Sequence, residues 1–137
     1  MGKLADLWAL RCLGDVSDHG VEWLALHTEE RAFAVGDVLT VEGATDRDCF
    51  FLIEGNTEVR ANGAVLGQSG AGEPEGEMAL LFRRPRGATT TAIAPVRALV
   101  LRSEDWDQLE RDQPDVANDI RSGILQHLGR RFGSQAK

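Results

Sequence analysis

Apolar residues at Leu4, Leu7, Trp8 and Leu10 fall at helical spacing, and Gly14 follows as a natural stop. A second short helix is expected from an N-cap at Ser17, with Val21, Leu24 and Ala25 facing inward. From Glu30 the period changes. Gly36-Asp37, Glu42-Gly43 and Asp46-Arg47-Asp48 punctuate short apolar pieces at Val38 to Val41 and Cys49 to Ile53, the second apolar throughout like a strand buried on both faces. Thr57 to Asn62 alternates, with Thr57, Val59 and Ala61 on one face and Glu58, Arg60 and Asn62 on the other. Asn62-Gly63 is a strong hairpin signal leading into Ala64-Val65-Leu66. Thr89 to Ala94 and Val96 to Leu101 read as two further strands broken at Pro95.

Ser103 then restarts a helix, with Glu104 and Asp105 suited to its first turn and Trp106 and Leu109 facing in. Pro114 fits the first position of a final helix whose stripe is Val116, Ile120, Ile124 and Leu128, with Arg130 and Arg131 at its basic end and Gly133 as its stop. Many short strands with frequent turns predict a mainly β sandwich or jelly roll with flanking helices.

One stretch does not fit simple packing. Gly76 to Ala92 reads GEMALLFRRPRGATTTA, a short apolar run between Glu77 and the cluster Arg83, Arg84 and Arg86. A glycine-led turn into a short helix offers free N–H groups and a positive dipole end, which suit a phosphate. Arg86, stiffened by Pro85, has a guanidinium fork that can grip two phosphate oxygens. Glu77 cannot favour a phosphate but can accept from sugar hydroxyls. Acid for hydroxyls and arginine for phosphate, nine residues apart, describe a nucleotide whose phosphate lies close to its ribose.

Gly76, Glu77, Met78, Ala79, Leu80, Leu81, Pro85, Arg86, Ala88 and Thr89 stand in register with the phosphate-binding cassette of cyclic nucleotide-binding domains, which this stretch resembles. The resemblance extends to catabolite-activator-like and protein-kinase-A-regulatory-subunit-like β-rolls. It covers roughly residues 15 to 132 and implies an eight-stranded antiparallel β-roll at about 30–102. N-terminal helices (an extension over 1–14), a cassette helix, C-terminal helices at about 103–112 and 114–132 and a tail over 133–137 complete it. It further implies that Glu77 binds the ribose 2′-hydroxyl, that Arg86 binds the cyclic phosphate, and that amides around Gly76, Met78, Ala79, Gly87 and Ala88 complete the cradle. Candidate base contacts are Val59, Leu66, Ile124 and Leu128. The last helix is implied to lid the base and relay binding. Gly87 stands where a hydroxyl-bearing residue would help hold guanine, which leans the expectation toward cyclic AMP over cyclic GMP. Pro74 and Glu75 replace residues that are usually apolar or aromatic, and a carboxylate beside a phosphate seat should lower affinity.

Composition narrows the remaining classes. The 137 residues, 42% hydrophobic, make one domain with a real core, and 15 glycines suit a turn-rich β protein. A net charge of −7 argues against a nucleic-acid partner. No apolar run approaches the roughly 18–20 residues of a membrane span, and no signal peptide is evident, so a cytoplasmic protein is expected. Cys12 and Cys49 lie in no metal or redox spacing and read as buried reduced thiols. His19, His27 and His127 show no ligand spacing, and no nucleophile setting is present, so neither metal, cofactor nor catalysis is expected. The reading is a non-enzymatic regulatory module in signal transduction, binding cyclic AMP or cyclic GMP and acting on an effector protein or attached domain. The alternative is a degenerate fold of the same ancestry that binds no nucleotide and serves as a protein-interaction scaffold.

Overall fold

The structure, a computed structural model, describes the backbone of residues 2–135 and the side chains of residues 2–130. Two four-stranded antiparallel sheets face each other. One has the order β1 (Thr28–Phe33), β8 (Val96–Leu101), β3 (Cys49–Glu54), β6 (Pro74–Glu75). The other runs β2 (Val38–Thr40), β7 (Thr89–Ala92), β4 (Asn56–Ala61), β5 (Ala64–Gly70). The helices are α1 (Lys3–Trp8), α2 (Asp18–His27), α3 (Glu77–Phe82), α4 (Ser103–Asp112) and α5 (Pro114–Gln135), with a 3-10 turn at Arg11–Leu13. The expected β-roll with flanking helices is therefore present.

The strand alternation explains why β3 and β8 are apolar on both faces over 49–53 and 98–101. Phe50, Leu52, Val96, Ala98 and Val100 point between the sheets, where they join Leu39 and Ala92. Cys49, Phe51, Leu99 and Leu101 point the other way, into a second core built by the helices. That core takes Leu7, Leu10, Leu24, Trp106, Leu109, Ile120 and Ile124, and also Leu80 and Leu81 from α3. Each such side chain removed from water contributes about 1.5–3 kcal/mol. Packing thus fixes α3 to the helical layer from behind and leaves its N-terminal end at the mouth of the roll.

Several local signals act as the sequence predicts. Ser17 caps α2, its hydroxyl accepting from the Gly20 N–H at 3.2 Å. Asn62-Gly63 closes the β4–β5 hairpin, and Pro114 opens α5. Other details differ. Only Leu7 and Leu10 of the first apolar stripe are buried, while Trp8 is 57% exposed. The β region begins at Thr28, two residues before the expected change of period. Ser103 is the first residue of α4 rather than its cap, because the Asp48 carboxylate accepts from the Ser103 N–H at 2.9 Å and supplies the cap from another loop. The last helix runs through Gly133 to Gln135, so Gly133 does not stop it. Midway along α5, Gly123 allows a close crossing. A Cβ there would stand 2.4 Å from Val16 Cγ2 and 3.0 Å from Val16 N.

Candidate functional site

Gly76 and Arg86 define the site together. Gly76 takes a left-handed conformation (φ 79°) just before α3. A Cβ on it would lie 2.4 Å from Arg86 Nη1 and 3.0 Å from the Asp48 carbonyl oxygen, so the close approach needs glycine. The Arg86 side chain is 2% exposed. Its Nη2 donates to Asp46 Oδ2 (2.8 Å) and to the Asp48 carbonyl (2.7 Å), and its Nη1 donates to the Gly76 carbonyl (3.1 Å). The backbone of Arg86 is held as firmly, its N–H on the Ala44 carbonyl and its carbonyl on the Gly43 N–H, both at 2.8 Å. The buried Nε has no hydrogen-bond partner among the described residues. A buried N–H donor of a cation without a partner is costly, so it marks a place prepared for an acceptor.

Arg86 forms one wall of a cleft of about 290 Å³. Gly76, Glu77, Met78, Ala79, Gly87 and Ala88 line the same cleft, so every residue the sequence proposes for the phosphate and ribose is brought together. Val59 and Leu66 line it from β4 and β5. The first N–H groups of α3 lie on residues that line the cleft, and intrahelical bonding begins only with the Leu80 N–H on the Gly76 carbonyl. An adjoining hollow of about 300 Å³ shares Val59, Leu66, Glu75 and Glu77 and is also lined by Leu128 of α5. Ile124, the other base contact proposed from the helix, is fully buried in the helical core and lines neither hollow. Its place in the stripe faces the helical layer, so it is a packing residue.

Two features escaped sequence reasoning, and of a third, Glu75, the sequence showed the departure but not the direction. Asp46, read there as loop punctuation, is the carboxylate partner of Arg86; a buried arginine requires one, but nothing local names it. Thr40 and Thr90 also line the cleft and are buried, joined by a 3.0 Å hydroxyl–hydroxyl bond. Glu75 pairs across from Phe50, shares its inward face, and is only 6% exposed. Its Oε1 accepts from the Thr57 hydroxyl at 3.0 Å. The departure from an apolar residue therefore places a carboxylate on the wall of both hollows.

Other titratable groups have structural surroundings. Burial pushes the Cys12 and Cys49 thiols above their ordinary range, and both are free. Arg83 pairs with Asp107 and Glu110, and Arg84 lies over the Phe82 ring; neither lines the cleft. His127 of α5 lies 2.9 Å from Glu73, two residues before Glu75. No group of residues suited to a metal ion occurs among the described residues. Among them, no helix is long and apolar enough to cross a membrane.

The chain is similar to several known proteins. The family model for the cyclic nucleotide-binding domain matches residues 30–113. The chain is 33% identical over 99 residues to a cyclic nucleotide-gated potassium channel of Rhizobium etli, covering 72% of this chain and 28% of the channel. It is 25% identical over 130 residues to a Pycsar effector protein of Xanthomonas perforans, covering 88% of this chain and 43% of the effector. Among solved structures, a cyclic nucleotide-binding domain of Methylobacillus flagellatus superposes with a TM-score of 0.78 at 26% identity, covering 96% of this chain and 76% of that one. The chain therefore belongs to the cyclic nucleotide-binding domain family. It spans less than half the length of these curated relatives.

Proposed function

We propose that the cleft binds a 3′,5′-cyclic nucleotide, with cyclic AMP preferred, and that the chain is a non-enzymatic regulatory module acting on an effector or attached domain. The observation that carries the reading is Arg86, a cleft-lining residue beside Gly76 whose buried Nε has no partner among the described residues. In this reading Arg86 and the amides of Met78, Ala79 and Ala88 take the cyclic phosphate, and Glu77 takes the 2′-hydroxyl. Val59, Leu66 and Leu128 offer apolar contact to the base. Calorimetric titration with cyclic AMP and cyclic GMP tests it. Saturable heat with one ligand per chain supports the reading. Silence with both at millimolar concentration would favour the scaffold alternative, which the inward carboxylate of Glu75 suits.

The cyclic AMP preference rests on Gly87. It is exposed, and a Cβ there would meet nothing within 4 Å. Gly87→Thr can therefore add a hydroxyl beside the seat without displacing neighbours. The variant should raise affinity for cyclic GMP relative to cyclic AMP by about fivefold, the worth of one net hydrogen bond of about 1 kcal/mol. A wild type that already prefers cyclic GMP tenfold would overturn the assignment of base selection to Gly87.

Relay through α5 is the second part of the proposal. Leu128 lines the hollow adjoining the cleft and His127 meets Glu73 just before the cassette, so a base reaching into that hollow would touch the surface on which the helix docks. Amide exchange across residues 114–130 should slow when cyclic AMP saturates the cleft. Equal protection with and without ligand would rule out a lid.

A further inference from the structure

The cassette helix begins on the cleft and has a tightly held end. The end is held by Arg47, a residue of the loop before β3. Its Nε donates to the Ala79 carbonyl at 3.0 Å and its Nη2 to the Leu80 carbonyl at 2.9 Å. These are among the last carbonyls of α3, which lack helical partners and carry the negative end of the dipole, so a guanidinium there satisfies both needs. The other edge of the same guanidinium donates from Nη1 and Nη2 to the two oxygens of Asp107 on α4, both at 3.0 Å. Arg47 and Asp107 are 17% and 21% exposed, so the pair is shielded from much of the solvent. The hydrogen bonds from Arg47 also hold the Asp107 carboxyl below its ordinary value.

The contacts continue past Asp107. Arg83, immediately after α3, donates to Asp107 (3.2 Å) and to Glu110 (2.7 Å). It adopts a left-handed conformation (φ 52°), one rarely taken by a residue with a side chain, and these two acids face it from α4. Glu110 in turn pairs with Arg121 of α5, whose guanidinium lies over the Trp106 ring. An unbroken set of charge contacts thus joins the cassette to α4 and α5 on the side of α3 away from the cleft.

We propose that Arg47 is a positioning residue for the nucleotide seat, clamping the end of α3 to Asp107 so that the first α3 amides and Gly76 stay aimed at the phosphate. Through Arg83 and Glu110, the same clamp ties that aim to α4 and α5. The inference rests on the proposed nucleotide binding at this cleft. It assigns a role to a residue outside the cassette whose side chain lines neither hollow.

The test compares wild type with Arg47→Met, Arg47→Lys and Asp107→Asn, each first confirmed as folded by circular dichroism. Without ligand, Arg47→Met should speed exchange of the amides of residues 80–86 by about tenfold while leaving β3 and β8 unchanged. Its affinity for cyclic AMP should fall about tenfold, the scale of one charge-assisted contact. Lysine keeps the charge but cannot span two carbonyls and a carboxylate, so Arg47→Lys should fall between. Asp107→Asn should shift both readouts in the same direction, by about threefold, and supplies the answer if Arg47→Met does not fold. Faster exchange spread evenly over the whole molecule would show general stabilisation and overturn the positioning role. So would wild-type affinity in Arg47→Met alongside a wild type that binds. If the wild type itself binds neither nucleotide, the functional reading fails and this inference falls with it.

Discussion

Replacing Arg86 with alanine should cost the protein its ligand and loosen the cassette as well. The Nε contact alone, a charge-assisted bond worth about 1.5–3 kcal/mol, accounts for a loss of roughly ten- to over a hundredfold in affinity. The inward contacts add a second effect. Without the guanidinium, the carbonyls of Gly76 and Asp48 lose their donor, each at a cost of about 1–3 kcal/mol if water does not replace it. The pair with Asp46 adds little, because Asp46 is 57% exposed and can be solvated instead. Arg86→Lys separates the two effects. It retains a charge for a phosphate but loses the fork, so affinity should lie between wild type and alanine while the melting temperature still drops. Calorimetry and a thermal melt on the same samples check this. Wild-type affinity in Arg86→Ala would remove the arginine from the site.

The second large effect runs in the opposite direction, with Glu75→Gln tightening binding. Glutamine is nearly the same size and keeps an oxygen to accept from Thr57 while removing the charge. A carboxylate about 6 Å from a bound phosphate repels it by roughly 0.7 kcal/mol in water-like surroundings and nearly 3 kcal/mol at an effective dielectric of about 20. Glu75 is 6% exposed, which favours the larger figure, a gain approaching a hundredfold. Burial also changes what salt should do. A surface carboxylate would lose its effect as ionic strength rises, whereas one on the inner wall is screened little, so the gain should persist at high salt. Glu75→Phe restores an aromatic at this position but removes the shorter of the two acceptors of the Thr57 hydroxyl, leaving the Ser69 carbonyl at 3.2 Å, so it should tighten binding less than glutamine. Titrations at low and high salt decide the matter. Unchanged affinity in Glu75→Gln would mean that the carboxylate does not sense the ligand.

The cassette was legible in the sequence because its parts are local. Glycine, acid, short apolar run and arginine all lie within fourteen residues, and each residue type has a task that its chemistry restricts. The strands were legible for the same reason, through alternation and the Asn62-Gly63 turn. The partners were not. Asp46 stands 40 residues from Arg86, Asp107 stands 60 from Arg47, and Asp48 caps a helix 55 residues away. Such pairings depend on which loops the sheets bring together, and charge spacing along the chain carries no trace of them. The helix stripe likewise shows that Ile124 and Leu128 are inward but not what each faces; both join the helical core, and only Leu128 also lines the hollow beside the cleft. The carboxylate of Glu75 was visible as a departure, yet its direction came only from the pairing of β6 with β3.

Residue-resolved nuclear magnetic resonance on isotope-labelled wild-type protein, titrated with cyclic AMP, tests the central assignment most directly. Saturable shifts should concentrate on the amides of Gly76 to Ala79, Gly87 and Ala88 and on the Arg86 Nε–H, with weaker changes at Leu128. Shifts confined elsewhere on the molecule, or none at millimolar ligand, would contradict the assignment of this cleft as the nucleotide site.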